Sequence, residues 1–299
     1  MKKFKTWFLE TRPQFLLLSV ALAFLGTCIA WYDGFFHAGH AVLAFVGLLL
    51  AHMSVNVLND YFDYRSGIDL ETKRTPFSGG SGILPLDLLK PWQVLWLGIG
   101  SFLLAGVIGV YFVLVKGWLL LPLLLIAALC IFLYTPFILR ARWPEWSPGL
   151  GMGALPVLGT YFIQTGFYSP HAVIVAVVPG ILVHNLLLLN EFPDVEADSK
   201  AGRKTLPITM GKRKASLVYS ALTIAVYLWI IVAVAAGQMP VFSLIALLTL
   251  PFAVKAISGA MKHHDMGRLV PAMDNNVKVV LLTQLLLGVG YILGKVVIS

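Results

Sequence analysis

Charge is scarce in this chain. Asp, Glu, Lys and Arg make up 12% of its 299 residues, hydrophobic residues 59%, and the mean hydropathy is +0.85. So few charges cannot cover a water-soluble domain of this size, so a soluble protein is excluded and an integral membrane protein is expected. Cysteine is nearly absent. Cys28 and Cys130 both fall inside apolar runs, too far apart for a metal motif, and read as small buried hydrophobes. No small-residue cleavage site follows the first apolar run, so no cleavable leader is expected. Acids are fewer still, 14 against 22 Lys and Arg, for a net charge of +8.

What is present is apolar sequence in span-length blocks. A spanning helix takes about 20 apolar residues. The blocks are Phe15–Tyr32, His40–Leu58, Trp92–Val115, Trp118–Ile138, Pro148–Phe167, Ala172–Leu189, Ala215–Ala236, Phe242–Ile257 and Val277–Val297, nine in all. The eighth is the shortest and contains Pro251. With a cytoplasmic N-terminus (Lys2, Lys3, Lys5, Arg12), the same side holds Arg65, Lys73, Arg74, Lys90, Arg140, Arg142, the cluster Lys200–Lys214, Lys255, Lys262, Arg268 and Lys278. Only Lys116 and Lys295 fall outside, so the split is twenty to two. That positive-inside bias supports both the layout and a location in the cytoplasmic membrane. The net positive charge therefore reports topology and contact with anionic lipid or substrate; no nucleic-acid partner is expected. Ahead of the first span, Met1–Arg12 reads as a basic amphipathic segment lying in the bilayer interface, with Arg12-Pro13 at the mouth of the bundle.

The acids that do occur are concentrated. Where the second span gives out, the chain reads Asn56-Val-Leu-Asn-Asp-Tyr-Phe-Asp-Tyr-Arg-Ser-Gly-Ile-Asp69. Asn56, Asn59, Asp60 and Asp63 follow at i, i+3, i+4 and i+7, one face of a helix, with Gly67 as a helix stop and Asp69 just beyond. Two carboxylates ~5 Å apart at an effective dielectric of 20 repel by roughly 3 kcal/mol, so such a face calls for a cation. A hard divalent ion with oxygen ligands, Mg²⁺ first and Mn²⁺ as a substitute, meets that need. The loop that follows carries Lys73-Arg74 and Gly79-Gly-Ser-Gly82, a run whose backbone N–H groups can form an anion nest. Acids for a metal beside bases for phosphate are what a metal–diphosphate complex requires.

The sixth span repeats the pattern. It ends in Asn190-Glu-Phe-Pro-Asp194-Val-Glu-Ala-Asp198, with Arg203-Lys204 following. Asn190, Asp194 and Asp198 are spaced i, i+4, i+8, one face if the helix runs past Pro193, which should kink it at Leu189. Tyr134 ends the fourth span as a phosphate partner or an interfacial belt residue. Gln164 is a polar group near the end of the Gly-rich fifth span. His184 and Asn185 are expected to line a cavity, and His263-His264-Asp265 to be surface. The arrangement suits a diphosphate carrying a long apolar tail, with Lys and Arg taking up charge as the diphosphate leaves. Tyr61, Phe62, Tyr64, Tyr134 and Tyr161 are candidates for facing an allylic cation.

These motifs resemble the UbiA superfamily of intramembrane aromatic prenyltransferases. Arg12-Pro13, Asn59-Asp60-x-x-Asp63 extended to Asp69, the Gly-Gly-Ser-Gly loop, Tyr134-Thr135, Gly159–Gly166 and Asp198-x-x-Ala-Gly-Arg203 are most similar to the MenA branch, which prenylates 1,4-dihydroxy-2-naphthoate in menaquinone synthesis. The resemblance covers nearly the whole chain. It implies an all-α, polytopic membrane domain over residues 1–299, with nine transmembrane helices around a central cavity. It also implies Mg²⁺, a polyprenyl diphosphate and an aromatic acceptor. On this reading Asp60, Asp63, Asp194 and Asp198 are catalytic, and with Asn59, Asp69 and Asn190 they hold metal. Arg12, Asn56, Asn59, Lys73, Arg74, Tyr134, Gln164, Asn190, Arg203 and Lys204 bind the substrates. Two stretches depart from the branch. Asn190-Glu-Phe-Pro-Asp194 stands where Asn-Asn-x-Arg-Asp is expected, and Pro-Glu145-Trp where Gly-x-Gly-Glu is. Both bear on the acceptor, so 4-hydroxybenzoate, homogentisate and a lipid glycerol stay open. A CDP-alcohol phosphotransferase is disfavoured because its Asp-Gly-x-x-Ala-Arg signature is absent. A transporter is disfavoured because both acidic sets sit at one membrane edge rather than at the midplane.

Overall fold

The computed structural model describes residues 2–72 and 74–298. Lys73, expected beside the acidic face, lies outside the described residues. The helices are α1 Lys2–Glu10, α2 Pro13–Tyr32, α3 Ala38–Ser66, α4 Ile68–Glu71, α5 Pro91–Lys116, α6 Leu121–Leu133, α7 Trp146–Gly149, α8 Leu155–Thr165, α9 Pro170–Asn190, α10 Val195–Lys200, α11 Leu206–Thr209, α12 Lys212–Ala235, α13 Leu250–Ala260 and α14 Met266–Ile298. Among the described residues seven helical stretches are long and apolar enough to cross a membrane: α2, α3, α5, α9, α12, the stretch Val241–Ala260 and α14. The two remaining expected spans are shorter or broken. Trp118–Leu133 opens with a 3₁₀ turn, and α7 and α8 are joined by a π-helical turn at Leu150–Ala154.

Local chemistry sets the helix ends that matter for function. Pro13 starts α2 with its φ already helical, and Arg12 ahead of it takes a left-handed φ of 54° that swings the chain in from α1. α3 runs eight residues beyond the apolar block and carries Asn56, Asn59, Asp60 and Asp63, while Asp69 falls on α4. It stops where Gly67, at φ 82°, returns its N–H to the carbonyls of Asp63 and Tyr64. On the other strip of the bundle α9 ends at Asn190, and residues 191–194 form a turn before α10. The expected kinked continuation past Pro193 is therefore corrected: the helix breaks, and Asp198 sits on a new, short helix whose first residue follows Asp194.

Close packing brings these two strips together. A Cβ on Gly153 would lie 2.5 Å from the Pro179 carbonyl oxygen, and one on Gly149 2.8 Å from that of Gly180. The small residues of the fifth span thus let it sit backbone to backbone with α9. α14 begins eleven residues before the expected span. Its polar start is held by tertiary partners: Asn276 accepts from Tyr219 Oη at 2.9 Å and donates to the Asn185 carbonyl at 3.3 Å. Asn185 in turn donates to Tyr219 O and Thr223 Oγ1, both at 2.9 Å. His184 Nε2 accepts from Trp143 Nε1 at 2.8 Å. His184 therefore ties α9 to the loop ahead of α7, and Asn185 ties it to α12, and neither lines the cavity. His263 is buried at 6% exposure against Phe192, not on the surface, while His264 and Asp265 are exposed.

Candidate active site

The main cavity opens between the C-terminal half of α3, α4, the glycine loop, the end of α9 and α10. Its mouth is acidic, with Asp63, Asp69, Asp194 and Asp198 around Arg203. Its depth is apolar, with Phe15, Leu18, Val55, Ile131, Met152 and Leu186 among the walls. Arg203 is the hinge of the mouth. One guanidinium nitrogen, Nη1, donates to Asp198 Oδ1 at 2.9 Å, and Nη2 pairs with Asp63 Oδ1. A single buried cation therefore ties together two acidic motifs 135 residues apart, and the two carboxylates hold its charge on in return. Asn59 steadies the arrangement, donating to Asp63 Oδ2 and to Thr135 Oγ1, each at 3.1 Å.

The loop between α4 and α5 closes the mouth from the other side. Gly79, Gly80 and Gly82 all have positive φ. At Gly80 a Cβ would press on both Asp69 carboxylate oxygens at 3.2 Å, so glycine is needed for the close approach. The expected nest of backbone N–H groups is partly in use, since Ser81 N–H donates to Asp60 Oδ2 at 2.8 Å. Asp60 accordingly turns toward this loop and toward Arg12, whose Nη1 stands 3.6 Å from Asp60 Oδ1. Burial pushes the carboxyl of Asp69 up to about 7, with Asp63 and Asp60 adding to it. Burial does the same at Asp194, also to about 7, helped by Asp198 and opposed by a hydrogen bond from Ser78. Asp198 is raised by burial and pulled back by Arg203.

The other expected site residues divide. Arg12, Asn56, Asn59, Tyr134 and Asn190 line the cavity. Asn56 donates to the Thr11 carbonyl at 3.1 Å, fixing the entry of the chain into α2. Arg74 lines a second, neighbouring cavity that it shares with Arg12, Ser78 and Gly80. Two expectations are corrected. Gln164 exchanges hydrogen bonds with the backbone of His37, at 2.7 and 3.3 Å, at the far end of the bundle, where it staples α8 to the α2–α3 turn. Lys204 donates its backbone N–H to Leu139 at 2.8 Å and leaves its side chain exposed, outside the cavity. Of the five aromatic candidates only Tyr134 lines the cavity, joined by Phe15 and Phe77. Tyr161 donates to Asp33 at the opposite end, at 2.6 Å.

Sequence reasoning missed Glu10 and singled out Glu145 and the segment of Glu191 without giving either acid a role. Glu10 is fully buried, accepts from Ser81 Oγ at 2.9 Å, and is pushed up to about 8 by burial and the neighbouring Asp60. Glu191 lines the cavity beside Glu145, and is raised well above the usual range by burial and by that neighbour. Glu145 accepts from Leu206 N–H at 2.6 Å. No periodicity could have revealed these contacts, because each joins segments tens of residues apart.

The donor set suits a hard cation. Oδ1 of Asp194 and Oδ1 of Asn190 are buried without a hydrogen-bond donor, and both face the acidic mouth. Among the described residues no three His, Cys, Asp or Glu side chains are gathered closely enough to chelate an ion by themselves. Such a mouth fits an ion that takes one or two carboxylates and completes its shell with phosphate oxygens and water, the habit of Mg²⁺.

The UbiA prenyltransferase family profile matches residues 17–277, most of the chain. The chain belongs to the UbiA prenyltransferase family. Among curated UbiA relatives it is similar to a 1,4-dihydroxy-2-naphthoate octaprenyltransferase of Bacillus subtilis, 28% identical over 95% of this chain and 91% of the relative. Its fold is similar to that of a UbiA homologue from Aeropyrum pernix, with TM-score 0.72 at 18% identity over 94% of this chain and 98% of that one. A UbiA homologue from Archaeoglobus fulgidus solved with GPP and Mg²⁺ shares the fold at TM-score 0.62 and 14% identity, over 94% and 99%. The acidic mouth and apolar depth thus sit in a membrane prenyltransferase fold.

Proposed function

We propose that this chain transfers a polyprenyl group from polyprenyl diphosphate to 1,4-dihydroxy-2-naphthoate, in the Mg²⁺-dependent reaction that leads to menaquinone. The observation that carries it is the union of Asp63 and Asp198 on Arg203 at the mouth of one cavity whose depth is apolar. The naphthoate acceptor follows the Bacillus subtilis relative, and the metal follows the Archaeoglobus fulgidus homologue.

When bound, Mg²⁺ would neutralise the diphosphate and favour its departure. Asp63, Asp69, Asp194 and Asp198, with the amide oxygens of Asn59 and Asn190, are the groups that would hold it, with one or two of the carboxylates going to each ion. Mn²⁺, with the same oxygen ligands, substitutes. Arg203 and Arg12 offer N–H donors to the diphosphate as the C1–O bond breaks and its electron pair leaves with oxygen. The ring faces of Tyr134 and Phe15 stabilise the allylic cation left behind. The apolar walls exclude water, so the cation is captured by a ring carbon of the acceptor; the new C–C bond forms as the carboxylate leaves as CO₂. Arg12 is the cation placed to receive that carboxylate before reaction. The acidic mouth lies on the Lys- and Arg-rich side of the bundle, which the positive-inside bias turns toward the cytoplasm of a cell whose cytoplasmic membrane holds the protein.

The test is purified protein with labelled polyprenyl diphosphate and a panel of aromatic acids. Demethylmenaquinol and CO₂ are expected from dihydroxynaphthoate, with activity lost in EDTA and regained with Mg²⁺. Asp63→Asn and Asp194→Asn should each cost on the order of 10²-fold or more in kcat. Turnover of 4-hydroxybenzoate or homogentisate with no product from dihydroxynaphthoate would refute the acceptor assignment.

A further inference from the structure

Below the acidic mouth the cavity walls carry few polar atoms, and one of them belongs to His52. It lies on α3 at i−4 from Asn56 and i−7 from Asn59, and all three line the same cavity. At about 1.5 Å of rise per residue, its Cα is roughly 10 Å deeper than that of Asn59. Leu18 and Val55, its neighbours along α2 and α3, are apolar parts of the same wall.

The protonation of the ring follows from its partner. Ser19 Oγ on α2 lies 2.9 Å from His52 Nδ1, and Ser19 is fully buried. Among the described residues Ser19 Oγ has no second hydrogen-bond partner. Were Nδ1–H to donate, the buried hydroxyl proton would be left with no acceptor, at the cost of an unmade hydrogen bond. The hydroxyl therefore donates to Nδ1, and the neutral ring carries its proton on Nε2. Nε2 has no partner among the described residues, and it is not one of the sealed, orphaned atoms of the interior. It opens on the cavity. A fixed N–H donor in an apolar pocket is a reader of oxygen.

We propose that His52 Nε2–H donates a hydrogen bond to a ring oxygen of the aromatic acceptor, on the edge turned away from the diphosphate, and so selects acceptors that carry an oxygen there. This rests on the aromatic-acceptor reading above. Ser19 is the positioning residue, since it sets which nitrogen bears the proton. An acceptor without that oxygen leaves the N–H unpaired in an apolar site, which is how enzymes gain discrimination against a missing hydroxyl. In dihydroxynaphthoate the oxygen in question is the hydroxyl para to the one beside the carboxylate.

The experiment compares kcat/KM for 1,4-dihydroxy-2-naphthoate and 1-hydroxy-2-naphthoate in the full-length wild type and in His52→Phe. The monohydroxy compound is also a weaker nucleophile, so the decisive quantity is the change in the ratio between proteins. His52→Phe should lower the ratio about tenfold, through KM for the dihydroxy acceptor, with KM for the prenyl diphosphate within about twofold. His52→Gln, which keeps an N–H donor, should recover part of it. Ser19→Ala keeps the ring but frees its tautomer, and should shift the ratio the same way by a smaller factor; it serves if His52→Phe does not fold. An unchanged ratio in either variant, or equal changes in both KM values, overturns the assignment alone. A wild type that makes no product from either naphthoate overturns the proposed function and this assignment together.

Discussion

Arg203→Gln is the substitution that should expose the electrostatics of the mouth. In the native protein one guanidinium serves Asp63 and Asp198 at once, from inside the bundle, with side-chain exposures of 14%, 11% and 5%. Removing its charge leaves two carboxylates facing each other across the space it filled. At ~5 Å and an effective dielectric of 20 they repel by roughly 3 kcal/mol, and two charge-assisted hydrogen bonds are lost as well. Breaking a buried pair by deleting one partner costs about 3–5 kcal/mol; the larger gross sum is offset in part because the freed carboxylates can take up water or a proton. The metal-free variant should therefore unfold at a clearly lower temperature than the wild type, followed by tryptophan fluorescence in detergent with EDTA. Mg²⁺ should then raise the midpoint more in the variant, because the ion supplies charge the side chain no longer does. The gain should follow the logarithm of metal concentration expected of a ligand bound only by the folded state. A variant as stable as wild type in EDTA, or one that gains nothing from Mg²⁺, would show that Arg203 does not hold the two motifs together.

Three further outcomes are expected. Asp69 and Asp194 carry carboxyl groups raised from the usual 3.8 to about 7, so between those values the folded protein binds more protons than the unfolded chain. Metal-free stability should thus fall as pH rises from about 4 to about 7, and Glu10, raised to about 8, carries the fall further. Apparent Mg²⁺ affinity should climb over the same window as the protons leave; a Mg²⁺ titration that is flat from pH 5.5 to 7.5 would contradict it. Single cysteines at the exposed positions Pro76, Ser199 and Met266 should label from the cytoplasmic side of sealed vesicles and one at Tyr168 from the other. Labelling of Pro76 and Ser199 from opposite sides would separate the two acidic motifs.

Much of the molecule is decided along the chain itself. Scarce charge and span-length apolar blocks dictate a helical bundle in lipid, because a backbone in hydrocarbon must satisfy its own hydrogen bonds. The Asn/Asp spacing on α3 is likewise legible, since 3.6 residues per turn puts Asn56, Asn59 and Asp63 on one wall without reference to anything else. Gly67 ends that helix by a rule as local. The second motif shows where local rules stop. Whether Pro193 kinks or breaks α9 depends on what the turn at residues 191–194 packs against, and the break is what aims Asp194 and Asp198 at α3. Gln164 and Asn185 were polar residues in apolar spans, and a polar group in that setting needs a partner, but the partner is a matter of tertiary position. For Gln164 it is the backbone of His37 and for Asn185 the far side of α12, neither of them a substrate. The pairing of Arg203 with Asp63, the enclosure of Asp69 by Gly80 and the tautomer of His52 all arise between segments distant in sequence. Hydrogen bonds and charge act over a few ångströms of space, and only the folded chain decides which atoms are that close.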